Sequence, residues 1–364
     1  MVVIRLNEFV RFSLMYSKHR PIEMQHRVLS LALLPLLIGC GQSGVSGDAL
    51  VSQQNTESPV FHLVTHAMPS DPFWSVVKKG WEDACQRYQI DGRYLGVRTD
   101  GNVGEMLGNL EAVVATGSDG IACVITDQQA LEPPLRRAIA NEVPVIALNV
   151  QDYREESQRI PYLTYVGEGS FETGQASARV VLERFQQLSN RPPKHAIYLI
   201  HATSIQCLEE RGLGMEQVYS EAGSKFTKVA CKFDPVTTQE SLRAFLEANP
   251  DVEAVHSGCS QVAHWSALML KKMGRLGNVL EPFEDGRVYV GGIDMDEQLL
   301  TDISRGEVIA TIDQQPYLQG YLAAVLLFQY HTFGLIPSND ILTGPYVVDQ
   351  SNALQRIKQI QSMR

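Results

Sequence analysis

The chain has 364 residues, 44% hydrophobic and 20% charged, an ordinary globular composition too long for one small core, which predicts two domains of roughly 150 residues each. A formal net charge of −10 offers no basic field for phosphate backbones or anionic headgroups, which argues against nucleic-acid binding. The six cysteines show neither CxxC pairs nor the Cys/His spacing of a structural zinc site.

In chain order, residues 1–23 fit no targeting signal, because Arg5, Glu8, Arg11, Lys18, His19 and Arg20 interrupt every apolar stretch; translation is expected to start at Met24. From Met24, a short polar start with His26 and Arg27 precedes an apolar run and then Leu37-Ile38-Gly39-Cys40. That run is about half the roughly 20 residues a spanning helix needs. It resembles a lipoprotein signal over 24–39, whose cysteine, here Cys40, is lipidated and becomes the mature N-terminus. The resemblance implies a protein of the periplasm or cell surface, membrane-anchored by its N-terminal lipid. Residues 40–58, rich in Gly, Ser and Gln, read as a flexible tether.

From Val60 onward, short apolar runs alternate with segments of helical period. The run VFHLVTHA precedes a helix over 73–88, where Trp74, Val77, Trp81, Ala84, Cys85 and Tyr88 recur at steps of three and four. RYLGV precedes a helix over 103–115, GIACVIT precedes 130–140, and VPVIALN closes this series. A second series follows Val166, with helices over 171–188, 209–221, 239–248, 262–273 and 297–304 between the runs AIYLIH, FTKVACKF, VEAVHSG, VYVGGI and VIATID. The last long helix, 316–333, begins with a proline. Repeated βα units of this kind predict an α/β fold with two doubly wound, parallel-sheet lobes.

In open parallel sheets ligands bind beyond the carboxyl ends of the strands, which selects the loops 66–73, 126–128, 149–153, 201–211, 233–237, 257–263, 294–296 and 313–315. They hold Asp71, Phe73, Trp74, Asn149, Arg211, Asp294 and Gln314. Carboxylates, paired donors and flat rings suit a polyhydroxylated ring: hydroxyls need donors and acceptors, and the ring's apolar face packs on an aromatic plane. Competing readings are a core position for Phe73 and Trp74, a surface pairing of Arg211 with Glu209 or Glu210, and a helix cap for Asp294. His62 and His66, four apart on one strand face, lack the third ligand a metal site needs and read as core or loop histidines; no metal is expected. No GxSxG elbow, P-loop or HExxH occurs, so neither an enzyme nor a cofactor is expected.

Several segments, in order, resemble the ribose-type periplasmic sugar-binding proteins of ABC transporters, the type I periplasmic binding fold. They are MPSDPFWSVVKKGWEDA, DGIACVITD, VPVIALN, CLEERGLGM, ANPDVEAVHSG, VYVGGIDMDE and VIATIDQQPYLQGYLAA. The resemblance implies three hinge crossings, near Val166, Gln314 and Gly344. One lobe then comprises 59–165 plus 315–343 and the other 166–314 plus 344–364. It implies that Asp71, Phe73 and Trp74 face the ligand from the first lobe, with the two rings sandwiching a sugar. Asn149 lies at the fourth strand end, Arg211 and Asp294 bond hydroxyls from the second lobe, and Gln314 sits at the hinge.

Asn149 and Val150 replace the family's Asp-Arg pair, and Cys259 its asparagine, which puts ribose itself in doubt. An open cleft leaves Arg211 in water, so its truncation to alanine is expected to cost about 2–4 kcal/mol of binding and little stability. Cys85, Cys123, Cys207, Cys231 and Cys259 leave at least one thiol unpaired, and a disulfide among Cys207, Cys231 and Cys259 stays open. The function implied is a monomeric receptor that delivers a monosaccharide or polyol to an ABC permease. Its rivals are a same-fold receptor signalling to a sensor kinase or chemoreceptor, a repressor's sensing core and a sugar-modifying enzyme.

Overall fold

The computed structural model describes residues 58–203 and 205–363; the expected signal, Cys40 and nearly all of the expected tether lie outside them. The first series of elements is β1 (Val60–Val64), α1 (Pro72–Tyr88), β2 (Asp91–Leu95), α2 (Val103–Thr116), β3 (Gly120–Cys123), α3 (Gln128–Ala140), β4 (Val145–Leu148) and β5 (Tyr165–Glu168). The second is α4 (Ser170–Ser189), β6 (His195–Ile200), α5 (Gln206–Glu221), β7 (Lys225–Ala230), α6 (Pro235–Ala248), β8 (Val252–Ser257), α7 (Ser260–Lys272), β9 (Tyr289–Ile293), α8 (Glu297–Ser304) and β10 (Ala310–Asp313). The chain ends with α9 (Pro316–Phe333), β11 (Ile341–Gly344), β12 (Tyr346–Asp349) and α10 (Ala353–Met363).

Two six-stranded sheets result, β11-β5-β4-β3-β1-β2 and β12-β10-β9-β8-β6-β7, with one strand order repeated. All pairings are parallel except β12, which runs antiparallel to β10. Strands β3, β4, β5, β6, β8, β9 and β10 are buried at every residue, as strands covered by helices on both faces must be. Helices α3, α5 and α6 start two to four residues before the apolar period predicts; in α3 and α6 the first turn is written in the caps Asp127 and Asp234 rather than in apolar steps.

Within each lobe two helices touch backbone to backbone. A Cβ on Gly174 of α4 would lie 2.0 Å from the Arg211 carbonyl of α5, and one on Gly80 of α1 2.1 Å from the Tyr317 carbonyl of α9. Only glycine permits such approach.

The chain passes between sheets three times. β5 stays in the first sheet through Glu168, so the first crossing, expected near Val166, follows Glu168. The second joins β10 to α9 and the third joins β11 to β12. One hydroxyl ties all three: Thr343 Oγ1 lies 2.7 Å from the Gln314 carbonyl and 3.1 Å from the Gly167 carbonyl, and accepts from Gln319 Nε2 at 3.2 Å. Gln315 Nε2 adds a bond to the Thr343 carbonyl at 2.6 Å.

Candidate functional site

The carboxyl ends of both sheets face a cleft of about 260 Å³, slightly below the roughly 300–1,000 Å³ of drug-sized ligand sites and so suited to a smaller solute. Asp71, Phe73, Trp74, Asn149, Arg211, Asp294 and Gln314 all line it.

Asp71 has a second task. As the N-cap of α1, its Oδ1 accepts from the amides of Phe73 at 2.9 Å and Trp74 at 3.1 Å, while burial pushes its pKa up against those bonds. The cap fixes the two rings at the first turn. They meet edge to face, centroids 5.3 Å apart at 71°, which leaves no slot between them; the expected sandwich by this pair is not formed. Trp74 is buried and packs edge-on against His66, 5.2 Å away. The second lobe supplies another ring, Phe233, 46% exposed and braced by His201 and Trp265 at 5.5 and 5.6 Å.

At the hinge, Asn149 donates through Nδ2 to Gln319 Oε1 at 3.0 Å and Gln314 Oε1 at 3.3 Å. Gln314 is buried and donates in turn to Asp294 Oδ1. Asn149, Asp294 and Gln315 hold left-handed backbones, φ 61°, 66° and 56°, a strained class that gathers at ligand clamps. Burial raises the pKa of Asp294 to about 7, with Arg211 opposing and Glu168 reinforcing. The capping role falls two residues on, where Asp296 accepts from the Leu299 amide at 2.8 Å.

Arg211 departs most from expectation. It is 5% exposed, and its partner is neither Glu209, which pairs with Lys228 at 2.5 Å, nor Glu210, which accepts from Gln206 at 2.8 Å. Its Nε donates to Glu168 Oε1 at 2.7 Å, Nη2 reaches the same oxygen, and Nη1 donates to the Gly258 carbonyl at 3.0 Å. Burial alone lowers its pKa, but Glu168, then Cys207 and Asp294, outweigh that and hold it well above the usual value. Glu168 is 1% exposed and ends β5. The guanidinium is therefore not in water, and the expectation that its truncation leaves stability untouched is overturned.

Glu168, Phe233, His66, His201 and Asp100 were not among the sequence candidates. Applying the strand-end rule to β5 finds Glu168, and Phe233 lies in a loop that rule had selected. His66 sits two residues past β1 rather than on its face with His62, whose Nδ1 pairs with Ser118 Oγ at 2.8 Å. Burial lowers both His66, with Asp100 opposing, and His201, with Arg211 reinforcing, to about 4, and the Nδ1 atoms of both are buried without a hydrogen-bond partner among the described residues. Asp100 Oδ1 accepts from the Met68 amide at 2.6 Å. Among the described residues no group of three His, Cys, Asp or Glu is placed to hold a metal, and no helix is long and apolar enough to cross a membrane. Cys85, Cys123, Cys207, Cys231 and Cys259 are all free thiols, so the disulfide left open by the sequence is not formed.

Comparison with known proteins places this geometry. Residues 61–334 match the periplasmic binding protein domain, well over half of the chain, and the chain belongs to that family. It is 26% identical over 333 residues to the xylose/arabinose-binding protein XylF of Sulfolobus acidocaldarius, covering 86% of this chain and 78% of that one. It is 22% identical over 254 residues to the ribose import binding protein RbsB of Bacillus subtilis, covering 70% and 76%. The structure of a carbohydrate transporter from Acidothermus cellulolyticus in complex with myo-inositol shares the fold, with a TM-score of 0.71 at 24% identity over 84% of this chain and 99% of that one.

Proposed function

We propose that the protein is an extracytoplasmic receptor that captures a monosaccharide or related polyol between its lobes and delivers it to an ABC permease. One observation carries the reading: a single small cleft gathers carboxylates, a guanidinium, amides and aromatic rings from both lobes. In this reading Asp71, Asn149, Arg211, Asp294 and Gln314 bond hydroxyls, Phe73 and Phe233 pack on ring faces, and Trp74 backs Phe73. The pentose-binding relatives and the myo-inositol complex support the ligand class. The lobes close about the three crossings as units of 59–168 with 315–344 and 170–313 with 346–363. The receptor works as a monomer without a cofactor, anchored through a lipid on Cys40.

A thermal-shift screen of monosaccharides and polyols tests the ligand class, since a solute bound only by the folded state raises stability by RT ln(1 + [L]/Kd). At least one neutral sugar or polyol is expected to raise the melting temperature and to give a one-to-one calorimetric titration. No response across the set refutes the reading. Labelled fatty acid that enters the parent but not Cys40→Ser supports the anchor, and equal labelling of both refutes it.

A further inference from the structure

The cleft has an unusual balance of charge. Among the described residues that line it, Arg211 is the one Lys or Arg, whereas three carboxylates line it, Asp71, Asp100 and Asp294. Each spends one oxygen on the protein's own donors: Asp71 on two amides, Asp100 on the Met68 amide, Asp294 on the Gln314 side chain. Arg211, in turn, is not a free cation. Glu168, buried deeper than the guanidinium itself, takes two of its donors on one oxygen, and the Gly258 carbonyl takes a third. The remaining N–H groups can bond a neutral hydroxyl, but the charge that would attract a carboxylate or phosphate is already cancelled.

Resting on the receptor reading above, we propose that Glu168 sets the ligand's charge class: by neutralising Arg211 inside the wall it makes the cleft take uncharged polyols and reject their acid forms. An acid sugar would bring a further anion beside Asp71 and Asp100, and beside Asp294 once that group has lost its proton above about pH 7, with no uncompensated cation to meet it, and like charges at a desolvated contact are a strong means of rejection. His66 and His201 supply no positive charge either, since burial keeps both neutral at pH 7. Glu168 is a positioning residue here: it acts on the ligand through Arg211.

The test is calorimetric titration of the full protein with matched pairs, D-glucose with D-glucuronate, D-galactose with D-galacturonate, and D-ribose with ribose 5-phosphate, in the parent and in Glu168→Gln. In the parent, the neutral member of a pair that binds is expected to exceed its acid form by about 100-fold or more, the scale of a like-charge contact. In Glu168→Gln, which keeps the shape and removes the anion, that ratio is expected to narrow by at least about tenfold. A merely structural role weakens both members alike and leaves the ratio unmoved, which overturns the proposal. So does a parent that binds acid and neutral forms within about tenfold of each other, a result that needs no variant to fold. If neither these six compounds nor any solute of the thermal-shift screen binds, the receptor reading itself fails and the proposal falls with it; a neutral solute found by the screen outside the six is titrated against its own acid form with the same two outcomes.

Discussion

Truncating Arg211 to alanine removes a cation that is 5% exposed and leaves behind a carboxylate, Glu168, that is 1% exposed and has lost both of its charged donors. Breaking a buried pair from one side costs about 3–5 kcal/mol, because the remaining charge is neither solvated nor paired. The Gly258 carbonyl loses its donor as well, for about 1 kcal/mol more. The ligand-free variant is therefore expected to lose about 4–6 kcal/mol, a large fraction of a typical folding free energy. Urea unfolding without ligand measures this directly. Arg211→Met combined with Glu168→Gln removes both charges together and should lose much less than the two single variants summed, the signature of a coupled pair. Binding weakens separately: loss of a charge-assisted bond to a hydroxyl costs about 1.5–3 kcal/mol, or about a 10- to 150-fold rise in Kd. An Arg211→Ala midpoint equal to the parent's would refute the reasoning, since it would mean Glu168 finds water or another partner at no cost.

Three further outcomes follow from the geometry. Asp294 holds its proton to about pH 7 when folded against about 3.9 when unfolded, so the folded state binds the extra proton and this group's contribution to stability falls as pH rises from about 4 to 7. Unfolding of Asp294→Asn should lack that decline, gaining on the parent between pH 5 and 8; a constant gap would contradict the assignment. Phe233→Ala should raise the ligand's Kd by about 5- to 50-fold while moving the melting temperature little, because the ring is 46% exposed and contributes mainly at the cleft; unchanged calorimetric affinity counts against its place on the ring face. Gly174→Ala and Gly80→Ala each force a methyl into a carbonyl and should cost about 1–3 kcal/mol in denaturant, but only Gly174→Ala, which displaces Arg211, should also weaken binding. Equal losses of affinity in both would sever the link between that helix contact and the cleft.

The βα alternation was legible because buried parallel strands such as GIAC and VIAL are continuous apolar runs, and helices such as α1 carry an unbroken period of three and four. The C-terminal β11, β12 and α10 were not read. Leu342, Tyr346 and Val347 are exposed on edge strands, so no apolar pattern marks them, and the antiparallel turn of β12 is set by the third crossing. The residues that line the cleft at strand ends were legible because their chemistry and place are both local. Glu168 was not: its meaning depends on Arg211, 43 residues away, and a lone carboxylate after Tyr-Val-Gly carries no local sign of a buried partner. The aromatic sandwich failed for a related reason, since ring orientation is decided by what Trp74 packs on, His66, rather than by adjacency in the chain.

The convergence of all three crossings on the Thr343 hydroxyl has a kinetic consequence. Any rotation of one lobe against the other pivots near that point, where Gln314 already sits. Phe233 follows β7, four strands from β10 in the second sheet, which at about 4.8 Å per strand sets it on a lever arm of about 19 Å. Every 10° of rotation then carries Phe233 about 3 Å while Gln314 hardly moves. If the lobes close on a solute as proposed, contacts near the pivot are expected to form at first encounter and to survive until the solute leaves, whereas that of Phe233 is expected to be made last and broken first, so that residence time would be governed from the far end of the lever.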